Sequence, residues 1–156
     1  MKRLLLLGAC VFGLALSATP AYAAGAWSTT VHVNSISGGL PITCGGPGLS
    51  LISATGNGVQ HLNVFGTGDW YTETFEGQGT LVQTAGPIAG IVYQGHVVTW
   101  FGAEDNNQNG VQHATFNFNG SSVANPAATL SMHGAFDVTT NADGTVTANH
   151  FNVSCS

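Results

Sequence analysis

The sequence predicts a single all-β domain: an antiparallel meander closed into a small β-barrel of about eight or nine strands, with a two-sheet β-sandwich as the alternative. Three observations carry this. Short runs of alternating apolar and polar residues recur along the chain, separated by glycine, asparagine and proline. No stretch has the apolar spacing of an amphipathic helix. Beyond its first residues the chain has no lysine to guard an exposed strand edge, and a sheet closed on itself has no edge to guard.

In order, the runs are AWSTTVHVNS, LSLISA, VQHLNVF, DWYTETFEG, IVYQGHVVTWF, VQHATFNFNG, ATLSMHGAFDVTT and GTVTANHFNVSC. Gly56-Asn57-Gly58, Gly66-Thr67-Gly68 and Asn141-Ala142-Asp143-Gly144 carry turn chemistry between them. Short connections make sequential strands antiparallel neighbours. In the last hairpin Leu130, Met132, Gly134, Phe136 and Val138 alternate with His133 and Asp137, while Phe151, Val153 and Cys155 alternate with His150. Matching the apolar sets puts Cys155 on the core face, and His133, Asp137 and His150 together on the other.

The first residues, MKRLLLLGACVFGLALSATPAYA, have the form of a secretory signal: two basic residues, an apolar run, and small residues at Ala21-Tyr22-Ala23. The run is broken too soon by Ser17, Thr19 and Pro20 for a comfortable membrane span. Residues 1–23 are therefore read as a cleaved leader and 24–156 as one exported, soluble, secreted domain. A weaker alternative makes Cys10 the lipid anchor of a lipoprotein box at Leu7-Gly8-Ala9-Cys10.

Cleavage removes Lys2 and Arg3, the only two such residues, and leaves all seven carboxylates. A surface without cations cannot neutralise phosphates, which argues against nucleic acid and anionic membranes as partners. A small ligand or a polysaccharide remains open. Cys44 and Cys155 then form an even pair in an oxidising compartment, most simply a disulfide, with two free buried thiols as the alternative.

In WFGAEDNNQNGVQH, Asp105, Asn107, Asn109, Gly110 and Val111 occupy the first, third, fifth, sixth and seventh places of a calcium loop. The twelfth place, which needs a bidentate Glu, is Phe116, and the ninth is His113. The expectation is a polar hairpin turn, with weak Ca²⁺ binding as the lesser alternative and no other cofactor. His133, Asp137 and His150 are the best candidates for acid–base work or a transition metal, set against ordinary solvent-facing strand residues. Asp69 and Glu73 share a strand face but lie about 13 Å apart, too far for a glycosidase pair without a carboxylate from another strand. No nucleophile elbow is present. Trp70, Tyr71 and Trp100 are candidates for a sugar-stacking platform, with Trp27 and Tyr93 as further aromatics.

HVVTWFGAEDNNQNG, the TFNFNG strand, the His-bearing strand and NADGTVTANHFNVSC together resemble a group of small exported bacterial two-cysteine β-proteins with no assigned activity. The resemblance covers the C-terminal half of the domain. In architecture alone the chain resembles allene-oxide-cyclase and dirigent barrels, which carries over no catalytic residue. The functional expectation is a non-catalytic exported domain that binds a ligand or coats a surface. The alternatives are a small barrel enzyme acting on an apolar or sugar-like substrate, and a carbohydrate-binding module. A filled interior favours the first; an open apolar pocket with a carboxylate or histidine at its floor favours the enzyme.

Overall fold

The computed structural model describes residues 26–106 and 108–156, so the expected leader, Cys10 and Asn107 lie outside the described residues. Seven strands follow one another in one sheet: β1 (Trp27–Leu40), β2 (Ser50–Phe65), β3 (Gly68–Gln83), β4 (Val92–Asn106), β5 (Asn109–Ser122), β6 (Thr129–Asn141) and β7 (Val146–Cys155). Each pairs antiparallel with the next, so spatial order is chain order. The meander and the all-β class are as expected, and the turns at Gly66-Thr67 and Ala142-Asp143 fall where their residues predicted.

Two expectations are corrected. LSLISA and VQHLNVF are not two strands: both lie in β2, whose ladder with β3 runs unbroken from Ser50 to Phe65, straight through Gly56-Asn57-Gly58. The glycines there serve close approach rather than a turn. A Cβ on Gly56 would lie 2.1 Å from the Glu76 carbonyl oxygen, and one on the facing Gly77 would lie 2.3 Å from that of Thr55. The second correction concerns closure. All seven strands belong to one sheet, which sets the two-sheet alternative aside, but β1 and β7 are its edges and share no ladder. An odd-numbered meander leaves its first and last strands parallel, so the antiparallel pairing used everywhere else cannot join them.

Alternation gives the sheet two unlike faces. One, termed the core face, carries Ile36, Ile52, Ala54, Phe75, Leu81, Tyr93, Val97, Phe116, Phe118, Leu130 and Met132, all buried. Gly79, Gly95 and Gly120 lie in one cross-strand row of this face. A Cβ on any of them would come within 2.4 Å of a neighbouring strand's carbonyl oxygen. Their lack of side chains lets the strands bend and leaves room for Phe118, whose ring tip would lie 2.7 Å from a Cβ on Gly120.

The β1–β2 connection, residues 41–49, folds over one end of this core. Ile42 packs against Gly134 of β6, and Ser50 Oγ donates to the Ile42 carbonyl at 2.5 Å. Gln83, fully buried, accepts from the Cys44 N–H at 3.0 Å and donates to its sulfur at 3.2 Å. Cys44 is bonded to Cys155 at the end of β7, with a Cα–Cα separation of 5.7 Å. The expected disulfide is present, and it spans the gap that the ladders leave open.

Candidate functional site

The outer face follows from the same alternation. Each of the six histidines falls on it, as do Trp70, Trp100, Glu76, Glu104 and Asp137. Serine, threonine, asparagine and glutamine fill most of the remaining positions, and no lysine or arginine interrupts them.

A groove of about 380 Å³ is cut into this face across β1 to β4, lined by His32, Asn34, Asn57, Thr74, Glu76 and Trp100 with Val59 and Val98. It lies where the sheet bends: β1 shifts register between Val33 and Ser35, and Asn57 sits between Gly56 and Gly58. Trp100 is 36% exposed and forms one wall. Its indole folds along its own strand over Gly102, where a Cβ would meet the ring at 2.8 Å, and its centroid lies 5.1 Å from the His113 ring. Gly102 thus leaves the space in which the indole lies. Opposite, His96 Nε2 and Glu76 Oε1 are 3.0 Å apart, which steadies the carboxylate at the groove's rim. The groove has donors, acceptors and an aromatic surface, and no lysine or arginine.

Trp70 joins this face four residues of ladder away, its ring edge-on to His61 at 5.6 Å. Tyr71 does not. Adjacent strand residues point to opposite sides, so the expected three-residue platform is divided: Trp70 and Trp100 outside, Tyr71 on the core face.

The histidine group is rearranged in a similar way. Asp137 and His150 face one another across β6 and β7, as expected. His133 is four residues further along, about 13 Å away, and bonds to Asn117 Oδ1 at 2.7 Å. The place beside Asp137 belongs to His113, directly opposite it on β5 and in ion-pair contact through Nδ1. Among the described residues no group of three or more His, Cys, Asp or Glu side chains converges as metal ligands would. Alternation in β5 already placed His113 outside; only the β5–β6 register could place it on Asp137.

The EDNNQNG stretch holds the end of β4 and the start of β5. Asn106 organises it, its Oδ1 accepting from the N–H groups of Gln108 at 2.8 Å and Asn109 at 2.9 Å. Asp105 and Asn109 are strand residues, and alternation sends them to opposite faces, with Val111 on the outer one. The ladder does not gather these candidate ligands; Asn107 lies outside the described residues.

Asp105 instead faces Asp69 across β3 and β4, on the core-face side near the β4–β5 end of the ladder. Burial, and then the Asp105 charge, push the Asp69 carboxyl above its ordinary value. Two rows further in on the same face is Glu73, 1% exposed among Gln60, Phe101 and Tyr71. Its Oε2 accepts from Gln60 Nε2 at 2.8 Å and from the Tyr71 hydroxyl at 2.5 Å, while Oε1 is buried without a partner, as is the nearby Thr99 Oγ1. Thr99 and Phe101 also line a cavity of about 40 Å³ beneath Leu40, Pro41 and Ile42.

Tyr71 is the titrating consequence of this arrangement. Burial, the hydrogen bond to Glu73 and the Glu73 charge raise its pKa far above the ordinary value of 10.0. In the unfolded chain tyrosine ionises near pH 10. Above that pH the unfolded state therefore binds fewer protons than the folded one, and stability falls as pH rises. We expect Tm to drop between about pH 10 and 12, and Tyr71→Phe to flatten that drop; an unchanged slope in the variant would show that Tyr71 is not the group responsible.

No protein-family model matches the chain, and neither a curated protein nor a solved structure matches it significantly.

Proposed function

We propose that the protein is a non-catalytic exported binding domain whose ligand is a neutral carbohydrate lying in the groove of the outer face. The observation that carries this is the groove itself: about 380 Å³, with one tryptophan wall and a rim of asparagine, threonine, histidine and glutamate. Ligand sites occupy roughly 300–1,000 Å³ and combine an apolar surface with a few placed polar groups. Sugar rings offer apolar faces to an indole and hydroxyls to amides and carboxylates. A surface without lysine or arginine selects against anionic ligands, and export places the domain where polysaccharides are met. The interior supports the same reading, since its 40 Å³ cavity is far below the size of a substrate site.

One observation favours the enzyme alternative. Asp69 and Asp105 face each other across neighbouring strands, and Asp105 supplies the carboxylate from another strand that Asp69 lacks on its own. A single experiment separates the two. Neutral oligosaccharides are titrated into the protein while tryptophan fluorescence and the release of reducing ends are both followed. Binding with no turnover, weakened at least tenfold in Trp100→Ala, is the expected result. Turnover abolished by Asp105→Asn would establish the enzyme reading, and fluorescence indifferent to every sugar would remove the carbohydrate.

A further inference from the structure

We propose that the protein self-associates through β1: two copies pair their β1 edges antiparallel about a two-fold axis, so that one sheet runs through both chains. Every residue of β1 from Trp27 to His32 is exposed, although all belong to a regular ladder with β2. Trp27 and Val31 stand 44% and 49% exposed on the core-face side. The outer edge of such a strand presents unpaired N–H and C=O groups, and proteins guard such edges with lysine, proline or inward-pointing charge. β1, WSTTVHVNSISGGL, has none of these. Its ladder with β2 is regular from Trp27 to Val33, before the register shift.

A two-fold axis at Thr30 uses that regular stretch. It sets Trp27 beside Val33 of the partner subunit, and Thr29 beside the partner's Val31, on the same side of the continuous sheet. Trp27 and Val31 then lose their exposure. A strand paired with its own copy across a two-fold axis is antiparallel, the one arrangement that β7 cannot offer β1 within the chain.

Charge selects β1 over the other free edge. The carboxylates lie on β3 (Asp69, Glu73, Glu76), β4 (Glu104, Asp105), β6 (Asp137) and the β6–β7 turn (Asp143), and there is neither lysine nor arginine past residue 3 to offset them. Two copies meeting at β7 would bring Asp137 and Asp143 of each chain towards those of the other. At β1 no carboxylate lies on the edge strand or on β2 behind it.

The test is sedimentation equilibrium of the chain from Ala24, over a wide concentration range, with hydrogen exchange of the β1 amides measured alongside. The expected result is a mass that reaches two chains and no more, with exchange at 28–32 slowing as concentration rises. Val31→Lys should weaken association at least tenfold while leaving the circular dichroism spectrum unchanged, and Thr29→Lys should do the same. Val146→Lys, equally exposed on the β7 edge, should have no effect. A chain that stays single at every concentration overturns the proposal, as does a dimer indifferent to both β1 lysines. Association broken by Val146→Lys instead assigns the contact to β7, and a mass that grows without limit assigns it to head-to-tail β1–β7 pairing; both also overturn it.

Discussion

Replacing Cys44 by serine should lower the stability of the domain by about 4–5 kcal/mol, the loop-closure value for a bridge of this length. The bridge joins residues 111 apart, so nearly the whole domain lies inside the closed loop and the unfolded chain gains correspondingly large freedom when it is cut. For a domain of this size the loss corresponds to a Tm lower by on the order of 15 °C. The 41–49 connection also loses the tie that holds Ile42 over Gly134. Urea unfolding of the variant, compared with the oxidised wild type, measures this. A difference under about 1 kcal/mol from the oxidised protein, well below the usual range for native disulfides, would show that Ile42, Ser50 and Gln83 hold the connection without the bridge.

Gly79→Val should cost about 3 kcal/mol or more, at or above the usual overpacking range, because the clash is with backbone and not with a side chain that can rotate away. A Cβ there would lie 2.3 Å from the Ser53 carbonyl oxygen and 2.5 Å from the Ala54 Cβ, distances that require the two strands to move apart. Gly46 is the control. A Cβ at that position would have nothing within 4 Å, so Gly46→Ala meets no neighbour and carries only the strain of its positive φ of 92°. Equal losses at the two positions, measured by urea midpoint, would mean that bending of the sheet does not depend on the glycine row.

The class of fold and its disulfide were legible because alternation is a local signal. In the last hairpin it placed Cys155 on the core face, where it stands opposite Met132 and where the bridge is made. The strand count was not legible, for a physical reason. Gly56-Asn57-Gly58 has the residues of a turn, but glycine also sits where two backbones approach too closely for any Cβ. That one ambiguity decided the architecture. Eight strands would have left antiparallel edges able to close a barrel, whereas seven leave parallel ones.

The site divides along the same line. Alternation alone separates Tyr71 from Trp70, and that separation was available in the sequence. The pairing of His113 with Asp137 and the groove shared by β1 to β4 depend on cross-strand register, including the shift beside Asn34, which no single strand encodes. Glu73 was visible only as one carboxylate among three in DWYTETFE; its burial is a product of the bent sheet.

The bridge from Cys44 to Cys155 also determines how the molecule responds to a pull. Tension applied at the two ends of the domain enters at Trp27 and leaves at Ser156, and the covalent bond carries it directly from β7 to the 41–49 connection. Everything from β2 to β7 lies outside that load path. Only β1 and the few residues before Cys44 can be peeled away, a segment roughly 60 Å long at full stretch. A fully unfolded chain of the same length would extend several times further. Force on the oxidised protein therefore strips a single edge strand and stops, leaving six paired strands behind a covalent catch. A domain held between two attachments would yield by a short, fixed length and then resist.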